Sequence, residues 1–248
     1  MNATESQACD LRCYMEQALD THYNKIAILK SSQDSKVTVF AHKNSGQNVL
    51  LRQSKNRNDS VYRTLRGKQL CNLPMILEVC SDEACLLVLE EYIVGQTLER
   101  ILKGGLLTGK QAAQYTIDLC NGLEEMHNLG IVHRDIKPSN VMITPENKAI
   151  LLDFSIAREI SSDEQDTRNL GTIGYAAPEQ FGVTQSGRAT DLYALGVLLN
   201  TMITGTHPAV DIPQGPIRRI VQKATNTQIS RRYRSAAAMA HALRPYAR

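Results

Sequence analysis

No run of this chain is apolar for long enough to cross a bilayer: the longest, around 86–89 and 195–199, fall far short of the roughly 20 residues a spanning helix needs. The first residues lack the charged and apolar regions of a signal peptide, so a cytoplasmic protein without membrane insertion is expected. Paired C-x-x-C spacing is missing as well. Cys9, Cys13, Cys71, Cys80, Cys85 and Cys120 read as scattered reduced thiols, not as a zinc site or a disulfide framework. The net charge of +3 reads as spread along the chain with no basic tract, so nucleic acid is not an expected partner. Internal repeats and low-complexity segments are absent too.

What is present divides by pattern. A polar helix over about 5–23 leads into three short β-rich runs at 26–29, 37–40 and 49–51, with Asn44-Ser45-Gly46 as the turn between the second and third. Residues 78–79 and 86–89 continue the sheet, and from Thr108 onward helical patterning dominates. At 248 residues the chain is long enough to bury a large core. An antiparallel meander followed by helices is an α+β arrangement.

Chemistry concentrates in His133-Arg134-Asp135-Ile136-Lys137-Pro138-Ser139-Asn140, where one loop supplies a base, a cation and a metal ligand at fixed offsets. It resembles the catalytic loop of protein kinases in its Ser/Thr-specific form. Asp153-Phe154-Ser155 follows at the end of an apolar run and resembles D-F-G, with Ser in place of Gly. Gly171-Thr172-Ile173-Gly174-Tyr175-Ala176-Ala177-Pro178-Glu179 resembles the substrate-docking loop that closes with A-P-E, and Asp191-Leu192-Tyr193-Ala194-Leu195-Gly196-Val197 resembles D-x-W-S-L-G-V. The likeness is greatest to bacterial kinases of the eukaryotic type. It implies a two-lobed kinase-like fold, with a small antiparallel sheet in an N-lobe of about 1–91 and a mainly helical C-lobe of 92–248. Asp135 is then the acceptor of the hydroxyl proton, Lys137 steadies the transferring group, and Asn140 and Asp153 bind Mg²⁺. His133 is a packing residue. Asp191 caps the catalytic loop, Glu179 pairs with Arg232, and Thr172 contacts Asp135 and Lys137. Arg134 reads a phosphate on the segment 161–169, where Ser161, Ser162 and Thr167 are the candidates.

The first half departs from the family. Aligned on Val37, the three glycine positions of the phosphate-covering loop hold Lys30, Ser32 and Ser35, in a turn placed at 30–36. Arg52 stands for the phosphate-pairing Lys, a change of reach and geometry, and Leu50 for the small residue against adenine. The helix 61–68 has no acid to hold Arg52, and Asp59 is the nearest candidate. Aligning Glu91-Tyr92-Ile93-Val94-Gly95 with the family's hinge makes Glu91 and Ile93 the adenine-contacting residues. It also puts Glu90 at a position normally apolar, and Arg52 is expected to pair with Glu90. Lys36 is expected on the opposite strand face, solvated. Two readings stay open: a kinase using ATP and Mg²⁺ on a protein substrate, or a kinase-like module that binds a regulatory protein. Retention of the catalytic-loop and metal groups favours the first.

Overall fold

The computed structural model describes residues 3–55, 59–82, 85–160, 172, 174–181 and 186–247, with side chains from Arg12 onward. Packing divides them into two units, Met1–Gln69 with Pro74–Tyr92 and Leu70–Leu73 with Ile93–Arg248.

The first unit opens with helix α1 (Ala3–His22), which passes directly into strand β1 (Tyr23–Ser31). A helix end leaves carbonyls unpaired, and one residue satisfies three of them here. Lys43 donates through Nζ to the carbonyls of Asp20 at 2.9 Å and Thr21 at 2.7 Å, and through its backbone N–H to His22 at 2.8 Å. Strands β2 (Ser35–His42), β3 (Asn48–Ser54), β4 (Ile76–Ser81) and β5 (Leu86–Glu91) complete an antiparallel sheet in the order β1-β2-β3-β5-β4. The expected turn at 44–46 closes β2 onto β3, with Gly46 at φ 71. Met15 and Leu19 of α1 pack against Leu51, Cys80 and Leu87, so the helix covers one face of the sheet. Helix α2 (Asp59–Leu65) buries Val61, Tyr62 and Leu65 and lies against β4.

The apolar run 26–29 does form a strand, but as the sheet edge, and Ile26, Ile28 and Leu29 are exposed. Two irregularities in its pairing with β2, near Lys25 and Lys30, break the regular edge. Bulges and lysines at an edge discourage further pairing.

In the second unit the short strand β6 (Gln96–Thr97) leads into helix α3 (Leu98–Gly104), then the long helix α4 (Gly109–Asn128). A capping box starts α4: the Thr108 hydroxyl accepts from Gln111 N, and the Gln111 side chain accepts from Thr108 N. Leu119, Leu123 and Met126 on it are fully buried. Strands β7 (Ile131–Val132), β8 (Val141–Ile143), β9 (Ala149–Leu151) and β10 (Arg158–Glu159) form two small sheets, β6-β8-β9 and β10-β7. Helix α5 (Arg188–Thr204) is apolar on nearly every side because it is enclosed, and it stops at Gly205 with φ 75. Helices α6 (Ile217–Ala224) and α7 (Ala236–Leu243) follow, with no helix between 205 and 216. Gly196 lets α5 and α6 meet, since a Cβ there would lie 2.5 Å from the Cβ of Ala224. Among the described residues no helix is long and apolar enough to cross a membrane.

Candidate active site

The loop between β7 and β8 carries Asp135, Lys137 and Asn140 and is fastened from α5. Asp191, in the first turn of that helix and fully buried, accepts from the backbone N–H of His133 at 2.9 Å and of Arg134 at 2.8 Å. Its Oδ2 also meets His127 Nε2 at 2.8 Å. Burial alone would raise the Asp191 pKa, yet the bonds from His127 and the two amides outweigh it and hold the carboxyl below its usual range. Arg134 sits at φ 70 and Asp153 at φ 68, in the left-handed region that costs a non-glycine residue about 1–3 kcal/mol. Such strain persists only where the surroundings over-determine it, and here Asp191 supplies that constraint at Arg134. Gln180 adds a bond from Nε2 to the Arg134 carbonyl at 3.2 Å.

His133 is buried with its ring edge-on to Phe154 at 5.7 Å between centroids. Asp135 N–H donates to its Nδ1 at 3.3 Å, so Nε2 carries the proton and donates to the Leu152 carbonyl at 3.1 Å. Burial pushes its pKa down, which keeps the ring neutral. Both ring nitrogens are thus engaged in holding the loop, and neither is available to act as a base.

Asp135 is the focus of the remaining polar groups. Its Oδ1 accepts from Thr172 Oγ1 at 2.7 Å, and its Oδ2 takes Lys137 Nζ at 2.8 Å and Asn140 Nδ2 at 2.8 Å. Lys137 Nζ also donates to Thr172 Oγ1 at 2.9 Å. The carboxylate is therefore fixed in rotation, with a cation beside it. Asn140 turns its amide nitrogen to Asp135, and its backbone carbonyl accepts from Leu152 N at 2.8 Å, tying the loop to the strand end that leads to Asp153. Ser155 takes an ordinary negative φ and donates its N–H to Asp153 Oδ1 at 3.2 Å. In this conformation the position needs no glycine; the left-handed residue is Asp153.

Glu179 and Arg232 meet as a fork, at 2.6 Å and 2.8 Å, both nearly enclosed. Burial opposes the ionised carboxylate, but the guanidinium and Thr190 Oγ1, at 3.1 Å, hold the Glu179 pKa below its usual range. Arg232 also stacks over the Tyr193 ring at 4.8 Å, so the Tyr in the position of the family's Trp supplies a cation–π face. Gly95 belongs to this unit as well: a Cβ there would overlap the Ile143 carbonyl, so close approach to β8 excludes any side chain. Thr167, Ser161 and Ser162 lie outside the described residues.

The first unit carries the other group of expected residues. On β3, Arg52 stands opposite Val88 and Leu50 opposite Glu90, which places Arg52 and Glu90 as diagonal neighbours on one sheet face. Arg52 Nη2 meets Glu90 Oε1 at 3.1 Å with both side chains nearly buried, the pairing the two odd positions predict. Asp59 instead accepts from Arg63 Nε at 2.7 Å and Ser81 Oγ at 2.7 Å. Register puts Ser35 on the Arg52 face and Lys36 on the other, as strand alternation predicts. The turn expected at 30–36 is a correction: β1 runs to Ser31 and β2 begins at Ser35, leaving a connection of three residues. Ladder hydrogen bonds extend both strands into it, and Ser32 Oγ closes it by donating to the Ser35 carbonyl at 3.2 Å and accepting Ser35 N–H at 3.1 Å. Glu91 ends β5, its N–H donating to the Met75 carbonyl at 2.9 Å and its carboxylate accepting Met75 N–H at 3.1 Å. Ile93 is half-buried at the start of the second unit.

Sequence reasoning missed His127, Thr190, Gln180 and Lys43. A histidine at the spacing of the apolar face of the amphipathic helix α4, beside Leu123 and Met126, was the one signal available. Its partner Asp191 lies 64 residues away.

An antiparallel five-stranded unit, a helical unit and a loop that gathers Asp, Lys, Asn and Thr around one carboxylate define a protein kinase domain. The protein kinase domain model matches residues 23–242, and the chain belongs to that family. It is 36% identical over 140 residues to a probable serine/threonine-protein kinase of Clostridium perfringens, covering 55% of this chain and 20% of that protein. Similarity to the serine/threonine-protein kinase PknB of Mycobacterium leprae is 35% over 127 residues, 50% of this chain and 20% of the relative. A leucine-rich repeat receptor-like protein kinase of Arabidopsis thaliana matches at 34% over 143 residues, 54% of this chain and 14% of the relative. The matched stretches thus span about a fifth or less of the length of these relatives.

Proposed function

We propose that this chain transfers the γ-phosphoryl group of ATP to a Ser or Thr hydroxyl of a protein. The observation that carries this reading is the Asp135 carboxylate, held at once by Thr172, Lys137 and Asn140 on a loop clamped by Asp191. Asp135 accepts the proton of the attacking hydroxyl as its oxygen bonds to the γ phosphorus and the bond to the bridging oxygen of ADP breaks. Lys137 neutralises charge on the phosphoryl oxygens and holds the Asp135 carboxylate in its orientation.

A divalent cation is part of this reading. The side-chain oxygen of Asn140, left by an amide nitrogen turned to Asp135, and the carboxylate of Asp153 are the hard oxygen ligands that Mg²⁺ takes. When bound, the ion supplies charge neutralisation across the phosphates. Glu91 and Ile93 contact adenine through their backbone, with Leu50 against the base. Ser32 and Ser35 stand over the phosphates and Arg52 makes the contact usually made by Lys, held by Glu90 as the helix acid would hold it. Arg134 reads a phosphate in the segment that contains Thr167.

The buried Arg52–Glu90 pair and the glycine-free turn favour a second reading, a kinase-like module that binds a partner without catalysis. Radiolabel transfer from ATP to the chain or to a generic protein substrate, compared with Asp135→Asn, decides between them. A loss of about 10²-fold or more in the variant is the expected result for a general base. No transfer by the unaltered chain, with no rise in thermal midpoint at millimolar Mg-ATP, would overturn the enzymatic reading, because a ligand bound only by the native state must raise that midpoint.

A further inference from the structure

The charge of this chain is not spread as the composition first implies. All of its Asp and Glu lie in the first 211 residues, and residues 212–248 hold eight Lys and Arg with no acid. With a total of +3, the stretch before Ile212 therefore carries −5.

The structure gathers part of this excess on one face of the second unit. Helix α6 buries Ile217, Ile220, Val221 and Ala224. At 100° per residue, its remaining central positions, Arg218, Arg219, Gln222 and Lys223, fall on the opposite side, and all four are exposed. Lys223 Nζ lies over the Tyr233 ring at 4.5 Å, which brings the segment bearing exposed Arg231 and Arg234 alongside the C-terminal end of the helix. Buried Arg232 anchors that segment, donating to the Asn226 carbonyl at 2.7 Å and pairing with Glu179. Among the described residues, Arg218, Arg219, Lys223, Arg231 and Arg234 form no ion pair. Like charges crowded together repel one another, and among the described residues no acid compensates these five.

We propose that this face binds an acidic segment of a partner protein. Four of the five exposed cations are Arg, whose planar fork fits a carboxylate through two hydrogen bonds. A single-stranded nucleic-acid site would add exposed aromatics for base stacking, but Tyr233 is buried beneath Lys223. The apolar side of α6 is packed against the domain, so the helix has nothing to insert into a bilayer, and attraction to an anionic membrane by charge alone is an outcome the vesicle arm of the test separates. The binding needs neither nucleotide nor Asp135, so it stands or falls separately from phosphoryl transfer.

The test measures fluorescence anisotropy of a labelled twelve-residue Glu/Ser peptide with the full chain, without nucleotide. Binding should weaken steeply between 50 and 300 mM NaCl, as screening shortens the Debye length. Arg218→Glu/Arg219→Glu/Lys223→Glu should weaken it by about tenfold or more, and the neutral Arg218→Gln/Arg219→Gln/Lys223→Gln variant by less. Because these positions are exposed, both variants should stay folded with a thermal midpoint close to that of the unaltered chain, lowered only by loss of the Lys223 contact with Tyr233. Should the reversal variant unfold, the neutral one carries the comparison. Equal peptide binding by the variants would overturn the proposal. So would tighter binding of a twelve-nucleotide single strand or of phosphatidylserine vesicles, or self-association of the chain abolished by the same substitutions.

Discussion

At the scale of single residues, the Arg52–Glu90 pair is the point where this chain departs furthest from its family and remains physically coherent. Neither change stands alone: a guanidinium without its usual acid and an acid at an apolar position compensate each other across a strand diagonal. Removing one partner of such a nearly buried pair strips the other of the counter-charge at 3.1 Å, so Arg52→Ala and Glu90→Ala should each cost about 3–5 kcal/mol in denaturant unfolding. Replacing both, as Arg52→Met/Glu90→Leu, should return stability to within about 1 kcal/mol of the unaltered chain, since two apolar groups of similar size leave no charge to solvate. Additive losses in the double variant would show that the two side chains act independently. Asp135 is the opposite case, where each neighbour is of the kind the family uses and the geometry converges on one carboxylate.

Among the elements, α5 carries the most responsibility. Its first turn presents Asp191 to the catalytic loop, its Ala189 carbonyl and Tyr193 ring receive Arg232, and its Gly196 admits α6. Gly196→Ala should therefore push α6 away although alanine is the better helix former, because the added methyl meets Ala224 at overlap distance. Overpacking of this kind costs about 1–3 kcal/mol, which for a domain of this size lowers the thermal midpoint by about 2–4 °C per kcal/mol. An unchanged or raised midpoint would mean that α6 shifts freely. Helix α1 shows how an element can be added: it precedes the part matched by the family model, and it covers apolar side chains of β3, β4 and β5. The sequence pattern located α1, the sheet and the 44–46 turn because these are local periodicities. It drew the 30–36 turn too wide around the connection at 32–34, because strand length depends on the pairing of two strands, not on either alone.

For the molecule as a whole, two buried carboxylates, Asp191 and Glu179, are held ionised below their usual range. A folded-state pKa below the unfolded one contributes stability that is complete above the unfolded value of about 4 and is lost as pH falls through the folded value. Stability to urea should thus be level on this account near neutrality and fall as the pH drops below about 4. His133, kept neutral by burial, adds a loss of its own that begins as pH falls below its unfolded pKa of about 6.5. Glu179→Gln should flatten the acid part of the profile while lowering stability at pH 7. A variant with the same acid slope as the unaltered chain would refute Glu179 as a contributor.

Motif and spacing alone determined that this is a kinase-like chain, which loop gathers Asp135, Lys137 and Asn140, and that the first half lacks the family's glycines. Those are properties of residues close together in sequence, where side-chain type and offset are already the chemistry. Charge segregation was also written there, legible once acids and bases are located as well as totalled. Only the tertiary structure decided that Asp191 answers to His127, that Ser155 needs no glycine backbone while Asp153 and Arg134 turn left-handed, and that Arg218, Arg219 and Lys223 share one exposed face. Each of these depends on which distant segment is buried against which, and burial is set by the packing of the whole chain.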